Sequence, residues 1–339
     1  MDYIGEKLVN PKPVKVGVLV MNLGSPDAPT AAALRRYLGQ FLSDPRVVEF
    51  PRALWWLVLN GVILNIRPRK SAHAYAQVWT ERGSPLRFIS DDQTLALRKA
   101  LSARYGDAVH VTLAMRYGNP SVEAAIESLR EAGATRILLL PLYPQYCAST
   151  TASTYDAVFD YIKRLRVAPE LRTVGDYHAA PGYISALAAS VNEHVATHGQ
   201  PDKLLFSFHG IPKRYTVKGD PYGLQCQRTA ECVAEKLGLA PDQWALTFQS
   251  RFGRDEWLKP ATDDTLRQWG KAGIGHVAVI CPGFSADCLE TLEEIKTENR
   301  AYFLENGGII FHYIAALNDR DDHIQFLTEL VGQHIQGWV

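Results

Sequence analysis

His209 ends an apolar run and is followed at once by a turn. Residues 204–208 are apolar apart from Ser207, as in a strand that is covered on both faces, and Gly210 and Pro212 then turn the chain. Ligands of open α/β sheets bind beyond the carboxyl ends of the strands. His209 is therefore either a core histidine with a satisfied hydrogen bond or a group that faces a ligand crevice.

Acidic residues recur in the stretch CPGFSADCLETLEEI, which starts at Cys281. They lie three or four residues apart and would form one stripe on a helix capped by Ser285. In chain order they are Asp287, Glu290, Glu294 and Glu298. The helix dipole favours acids only in the first turn, and like charges four apart cost about 0.2–0.5 kcal/mol. The stripe is therefore either a solvated face or a site that handles cations or protons.

Both stretches follow a predicted strand in the same half of the chain, so they could face one crevice. Carboxylate oxygens suit hard divalent ions, and imidazole extends the range to Fe²⁺, Co²⁺ and Zn²⁺. His194 and His198 also have the spacing of a helical metal motif, but the glutamate of such motifs is absent. We interpret that pair as the end of a helix before Gly199.

Apolar strands alternate with helical patterns along the chain, which indicates two doubly wound α/β domains with parallel sheets. Strands are predicted from Val14 to Met21, Val109 to Ala114, Arg136 to Pro141, Leu204 to Phe208, Trp244 to Phe248 and His276 to Cys281. Helices are predicted from Ser121 to Ala132, Tyr222 to Leu237 and Asp322 to Ile335. A break near Pro169 predicts domains at 14–167 and 168–318, with a C-terminal helix in 319–339 packing back across the boundary.

Several common functions of such folds are disfavoured. The first strand leads into NLGSP at Asn22 and not into the glycine-rich dinucleotide fingerprint, and no P-loop occurs. Lys and Arg together equal Asp and Glu at 36 each, so net charge gives no reason to expect nucleic-acid binding. Five cysteines without a CxxC pair, and no signal peptide in MDYIGEKLVNPKPVKVGV, predict a cytoplasmic protein.

An uncharged run, ALWWLVLNGVILNI, lies between Ala53 and Ile66, with basic residues on both sides. It is shorter than the ~20 residues that span a bilayer. Trp55 and Trp56 cannot both face one core, because neighbours on a helix point ~100° apart. The run is therefore either a core helix or an amphipathic lip that contacts membrane or an apolar ligand.

The motifs of the chain, taken together, resemble the ferrochelatase family. In the second half the resemblance rests on LLFSFHGIPKRYTVKGDPYGLQC from Leu204, TFQSRFGRDEWLKP from Thr247 and the acidic stretch from Cys281. In the first half it rests on MNLGSPDAP, RGSPL, MRYGNP and PLYPQYCASTTAST. The acidic stretch and the SFHGIP strand are most similar to the bacterial form.

The resemblance implies two Rossmann-like domains with four-stranded parallel sheets and a porphyrin cleft between them. The implied activity is insertion of Fe²⁺ into protoporphyrin IX to form protoheme, the terminal step of heme biosynthesis. His209 would then accept pyrrole protons, and Glu290 and Glu294 would relay protons or metal. Metal contacts would involve His209 and Glu290.

The resemblance also implies substrate contacts. The positions that match porphyrin-facing residues are Leu23, Arg67, Tyr75, Ser84, Arg116 and Trp257. Leu23 and Trp257 would line the apolar pocket, whereas the other four would face the propionates. The segment at 51–86 would form an active-site lip, which would give the protein a peripheral contact with the inner face of the cell membrane.

Two departures from the animal enzymes alter the expectations. Cys288 stands where those enzymes carry a histidine, and the chain ends at Val339 without their cysteine-bearing extension. We therefore expect no iron–sulfur cluster, no tightly bound cofactor, Fe²⁺ only as a substrate, and a monomer.

Three alternative functions stay open. A sister chelatase would act on coproporphyrin or insert cobalt into a corrin precursor. A haem or metal carrier would keep His209 as an axial ligand but would not need Glu290 and Glu294. A sensor related to periplasmic binding proteins is disfavoured by the missing export signal.

Overall fold

The computed structural model describes residues 3–5, 14–253 and 255–339 and divides into two compact units. The first unit holds the chain up to Leu142 together with Ala148–Gly175 and Ile324–Val339, and the second holds Tyr143–Cys147 and Asp176–His323. Most of the N-terminal stretch used to predict a cytoplasmic location lies outside the described residues. The units change over at residue 175 and not at 167, because a short strand beyond 167 belongs to the first sheet.

The first unit contains a parallel sheet of four strands. The strands are β1 (Lys15–Asn22), β2 (Val109–Met115), β3 (Ala134–Pro141) and β4 (Glu170–Thr173), in the order β2-β1-β3-β4. Its helices are α1 (Ala31–Ser43), α2 (Arg52–Val58), α3 (Leu64–Val78), α4 (Pro85–Tyr105), α5 (Val122–Glu131) and α6 (Ser153–Ile162). The central strands β1 and β3 are buried along most of their length, as strands covered on both faces should be.

The second unit repeats this plan with the order β6-β5-β7-β8. Its strands are β5 (Lys203–His209), β6 (Trp244–Gln249), β7 (His276–Ile280) and β8 (Ile310–Ile314). Its helices are α7 (Pro181–His198), α8 (Lys213–Val217), α9 (Tyr222–Leu237), α10 (Thr262–Lys271) and α11 (Arg300–Glu305), with a π-helix at Glu290–Asn299. Between β5 and the edge strand β6, His209 lies opposite Gln249.

The expected pair of four-stranded parallel sheets is confirmed. The sequence pattern missed one of the two edge strands of each sheet, β4 and β8. β4 has the sequence ELRT with no fully buried residue, and β8 has only two buried residues. These two strands therefore lack the continuous apolar run that marks a strand covered on both faces.

The C-terminal helix α12 (Asp321–His334) begins in the second unit, and its residues from Ile324 onward belong to the first. Within the first unit, Arg172 on β4 donates hydrogen bonds to the backbone carbonyls of His334 at 2.7 Å and Gln336 at 2.9 Å. Its guanidinium also lies 4.2 Å from the centre of the Trp338 ring. These contacts hold the chain end against the edge strand of the first sheet.

The apolar run between Ala53 and Ile66 forms α2, a π-helical turn (Leu59–Ile63) and the start of α3. Trp55 points inward and donates from Nε1 to the carbonyl of Leu42 at 2.6 Å, whereas the side chain of Trp56 is 63% exposed. The expectation that the two rings diverge is therefore confirmed. Among the described residues, no helix combines the length and the apolar character that crossing a bilayer requires.

Gly24, in the loop after β1, has a backbone conformation that only glycine adopts easily. Its φ is +102°, and a Cβ placed there would lie 1.9 Å from the carbonyl oxygen of Tyr117. The loop is closed by hydrogen bonds from the backbone N–H groups of Arg116 and Tyr117 to the carbonyls of Asn22 and Leu23. The close approach of the Tyr117 backbone therefore explains why residue 24 is a glycine.

We expect Gly24→Ala to lower the free energy of unfolding by at least about 2 kcal/mol more than Gly83→Ala does. Gly83 has a similar φ of +95°, but its nearest neighbouring atom would be 4.0 Å from a new Cβ. The measurement is urea unfolding followed by circular dichroism. Equal losses in the two variants would mean that the approach of Tyr117 does not constrain this loop.

Candidate active site

His209 occupies the last position of β5, where its backbone is still held by the sheet. Its ring atom Nδ1 lies 2.7 Å from the carbonyl oxygen of Gly210. Because a carbonyl only accepts, Nδ1 carries the proton in this contact, and in the neutral ring Nε2 keeps its lone pair. The turn that follows needs glycine, since a Cβ on Gly210 would lie 2.8 Å from the Gln249 carbonyl and 3.1 Å from the Trp257 ring.

The acidic stretch forms a π-helix and not the α-helix that the spacing predicted. The side-chain amide Nδ2 of Asn299, the last residue of this helix, donates to the backbone carbonyl of Glu294 at 2.8 Å. π-Helical turns are rare and occur frequently at functional sites.

Only two of the four acids of the predicted stripe remain together. The carboxylate of Asp287 accepts hydrogen bonds from Tyr313 at 2.6 Å and from Asn318 at 2.9 Å, so it anchors the start of the helix. Glu298 is exposed and accepts from the hydroxyl of Tyr302 at 2.7 Å. Glu290 and Glu294 are half-buried and interact electrostatically with each other.

The carboxylate of Glu294 is held by the residue that follows β6. Ser250 donates its backbone N–H to Oε1 at 2.7 Å and its hydroxyl to Oε2. Ser250 has a φ of +66°, a conformation that is uncommon for a residue other than glycine. Burial raises the pKa of Glu294; the hydrogen bonds from Ser250 and the nearby His209 oppose this shift, and Glu290 adds to it.

Glu290 is positioned by two neighbours. The amide of Gln249 donates to the Glu290 backbone carbonyl at 2.9 Å and lies 3.4 Å from Oε2 of Glu294. The thiol of Cys288 is hydrogen-bonded to the side chain of Glu290; burial, with the charge and hydrogen bond of Glu290 adding to it, raises the pKa of that thiol. The thiol of Cys288 therefore lies beside Glu290 as a neutral group.

The second unit thus brings together four of the predicted site residues. Trp257 packs against the turn after His209, and its Nε1 donates to the carbonyl of Phe252 at 2.9 Å. His209 and Glu290 both act on the ionisation of Glu294. An imidazole with a free Nε2, a partly buried carboxylate of raised pKa and a second carboxylate can together accept, hold and pass on protons.

The other five predicted residues, Leu23, Arg67, Tyr75, Ser84 and Arg116, lie in the first unit. Leu23 follows β1, and its N–H is bound by the Asn22 side chain at 2.8 Å. Ser84 is buried at the residue before α4, whereas Tyr75 is buried and Arg67 is exposed on α3.

Arg116 is the most strongly constrained of these five. Its Nη2 donates to Asp44 at 2.5 Å, its Nε donates to Ser153 at 2.7 Å, and its guanidinium lies 4.6 Å from the Tyr117 ring centre. Burial raises the pKa of Asp44, but hydrogen bonds from Ser153 and Tyr117 and the charge of Arg116 outweigh it, so the pKa lies below its usual range. A propionate would have to share this guanidinium with Asp44.

The sequence interpretation missed the residues that hold the site in place. Gln249 and Ser250 lie in the motif TFQSRFG, and Ser153 lies in ASTTAST. The sequence of such a motif does not indicate which distant residue a polar side chain will contact. No sequence pattern indicated a role for Asp44, because its partner Arg116 lies 72 residues away along the chain.

Fold and site together define an α/β protein of the chelatase class. A solved structure of SirB from Bacillus subtilis with Fe³⁺ has a similar fold, with a TM-score of 0.58 over 95% of this chain and 96% of that one, at 9% identity. At this identity the likeness concerns the fold alone.

Sequence comparisons identify the family. The Ferrochelatase family model matches residues 15–335. Ferrochelatases from Pseudoalteromonas atlantica and Thioalkalivibrio sulfidiphilus are 54% and 58% identical, each over 96% of this chain and over 90% and 88% of their own length. The chain belongs to the ferrochelatase family.

We expect Glu294→Gln to stabilise the protein at pH 7.5 by roughly 0.5–2 kcal/mol, as removal of a functional but strained group commonly does. Because the pKa of this carboxyl is higher in the folded chain than in the unfolded chain, stability falls as pH rises through the folded value. The gain should therefore disappear below the ordinary glutamate pKa of about 4.3.

The measurement is the free energy of unfolding in urea against pH, with Glu298→Gln as the matched control on the same helix. That exposed substitution should change little. A loss of stability in Glu294→Gln at pH 7.5 would show that the carboxylate is favourably placed and not held at a cost.

Proposed function

We propose that this protein inserts ferrous iron into protoporphyrin IX and so forms protoheme, the last step of heme biosynthesis. The observation that carries the proposal is the grouping of His209 with Glu290 and Glu294 in a chain of the ferrochelatase family. Fe²⁺ enters as a substrate, and we propose no resident cofactor and a monomeric protein.

His209 is the proton acceptor in this proposal. Metal insertion must remove two pyrrole protons, and a neutral imidazole accepts protons near neutral pH. The hydrogen bond from Nδ1 to the Gly210 carbonyl supports Nε2 as the accepting atom. The same contact fixes the orientation of the ring, so little reorganisation accompanies the transfer.

Glu294 and Glu290 carry the next steps. A carboxyl whose pKa is raised by burial exchanges protons nearer to neutral pH than an exposed one does. Glu294 therefore takes the proton from His209, and Glu290 passes it on. Because carboxylate and imidazole are also ligands for Fe²⁺, we assign His209 and Glu290 the first contacts with the ion.

Porphyrin contacts are proposed at the positions expected from the sequence. In the second unit, Trp257 offers an apolar ring beside the His209 turn. In the first unit, Leu23 offers an apolar contact, and Ser84, Tyr75, Arg67 and Arg116 are the candidate donors to propionates.

The apolar run between Ala53 and Ile66 is proposed to contact a membrane surface. Leu57 is 60% exposed and Ile66 is 69% exposed, beside the exposed ring of Trp56. Contiguous exposed apolar side chains mark interaction sites, and the flanking Arg52 and Arg67 suit anionic headgroups.

We expect His209→Ala and Glu290→Gln each to lower kcat/KM for Fe²⁺ insertion into protoporphyrin IX by about 100-fold or more. Insertion is followed anaerobically by the absorbance change of the porphyrin, and porphyrin binding is measured separately. Glu298→Gln, on the same helix but exposed, should keep wild-type activity.

Normal turnover in His209→Ala would remove that residue from the mechanism and keep the enzyme. Porphyrin binding without turnover in the wild type would favour a carrier. Turnover with coproporphyrin in place of protoporphyrin would instead favour a sister chelatase.

We expect the double substitution Trp56→Ser, Leu57→Ser to weaken binding to vesicles that contain anionic lipid by about tenfold, because each side chain loses roughly 1 kcal/mol or more of apolar burial. Val217→Ser is the control, since Val217 is 80% exposed but lies in the second unit. Binding is measured by vesicle sedimentation. Equal binding of wild type and double variant would contradict the membrane contact.

A further inference from the structure

Four histidines gather in the second unit on elements that the proposed chemistry does not use. His194 and His198 lie one turn apart near the end of α7, His312 lies on the edge strand β8, and His276 starts β7. The rings of the first three are mutually close, with centroids 4.3–4.9 Å apart. From the sequence we interpreted His194 and His198 only as a helix end, because the third imidazole, that of His312, lies 114 residues after His198.

Nitrogen atoms of the three rings lie near one another. One ligand atom from each of His194, His198 and His312 lies within 4.8 Å of the others, and Nε2 of His194 is 3.0 Å from Nδ1 of His312. Ligand nitrogens around a tetrahedral Zn²⁺ at 2.0–2.1 Å are about 3.3 Å apart. The rings of His194 and His198, which are stacked at an angle of 15°, would have to rotate apart to direct their lone pairs at one ion. A hydrogen bond between two neutral rings would explain the His194–His312 contact, but it would not require the third imidazole.

A backbone contact orients the outermost ring. Nδ1 of His198 lies 3.2 Å from the carbonyl oxygen of His194, so it donates and leaves Nε2 as the ligand atom. Hydrogen bonds of this kind fix the tautomer of metal-binding imidazoles.

Burial favours the neutral form of two of the three rings, His194 and His312. Burial, together with the neighbouring histidines, lowers the pKa of His194 to about 4, and burial also lowers the pKa of His312. Neutral imidazole is the form that binds metal. A site for anions would instead need protonated rings.

A cavity of about 450 Å³ opens beside the cluster and gives an ion access to it. Lys296 and Arg300 also line this cavity. Both are exposed, so solvent screens their repulsion of a bound cation.

We propose that His194, His198 and His312 form a binding site for a four-coordinate divalent transition metal ion such as Zn²⁺, with one coordination position open to solvent. Three imidazoles with an open fourth position are an established zinc arrangement. The site is distinct from His209 and Glu290, and it does not depend on the proposed function.

The test is calorimetric titration of the full chain, freed of metal by a chelator, with Zn²⁺ in a buffer without phosphate or porphyrin. We expect His194→Ala and His312→Ala each to weaken one zinc-binding event by at least about tenfold. His73→Ala, which removes an exposed histidine of the first unit, should bind as the wild type does.

Measuring the same series in a His209→Ala background separates this site from any ion bound at the proposed active site. In the His209→Ala single variant, the zinc-binding event that His312→Ala weakens should remain, since His209 is not a ligand of this site. Lys296→Gln should tighten zinc binding about twofold by removing an exposed like charge.

Identical zinc stoichiometry and affinity in wild type, His194→Ala and His312→Ala would overturn the proposal. So would loss of all zinc binding in His209→Ala, or binding of inorganic phosphate without binding of zinc. Because a substitution could disturb the fold, the rise in the thermal midpoint on adding Zn²⁺ is measured as well; it should equal that of the wild type in His73→Ala and be clearly smaller in folded His312→Ala and His194→Gln.

Discussion

The carboxylate of Glu294, partly buried beside His209, is the constraint on which the second unit depends. A carboxylate that is removed from water needs hydrogen-bond donors in place of the water. Here Ser250 donates two hydrogen bonds to Glu294, and Gln249 lies close to the same carboxylate. Those donors can only be in place if β6 ends opposite His209, which the register between β5 and β6 provides. The strand order and the unusual backbone of Ser250 are therefore linked to the ionisation of one side chain.

The π-helix serves the same arrangement. Its first residue, Glu290, is held through its backbone by Gln249, while Asp287 ties the preceding turn to β8 and the segment beyond it. Four acids that look equivalent in the sequence consequently have three tasks. One anchors the helix, two interact with each other near the end of β6, and Glu298 lies in solvent. Spacing alone could not separate them, because a stripe on a helix says nothing of which part of it another element covers.

The first unit also contains a buried carboxylate, Asp44, which is stabilised there by an ion pair with Arg116. Arg116 and Asp44 lie at the ends of separate elements and are bound into one network by Ser153 and Tyr117. Removing one member would leave a buried charge without its partner, which is costly. The network therefore holds the guanidinium in one orientation.

The amino-acid sequence was sufficient for the two parallel sheets, the position of His209 at a strand end, the divergence of Trp55 and Trp56, and the family, because these depend on local periodicity and on contiguous motifs. It was insufficient for the edge strands β4 and β8, the π-helical form of the acidic stretch, the unit boundary at residue 175, and the donors around Glu294 and Asp44. The sequence was also insufficient to predict that His194 and His198 lie beside His312. Each arises from contacts between residues far apart in the chain, and such contacts exist only once the strands are ordered and packed.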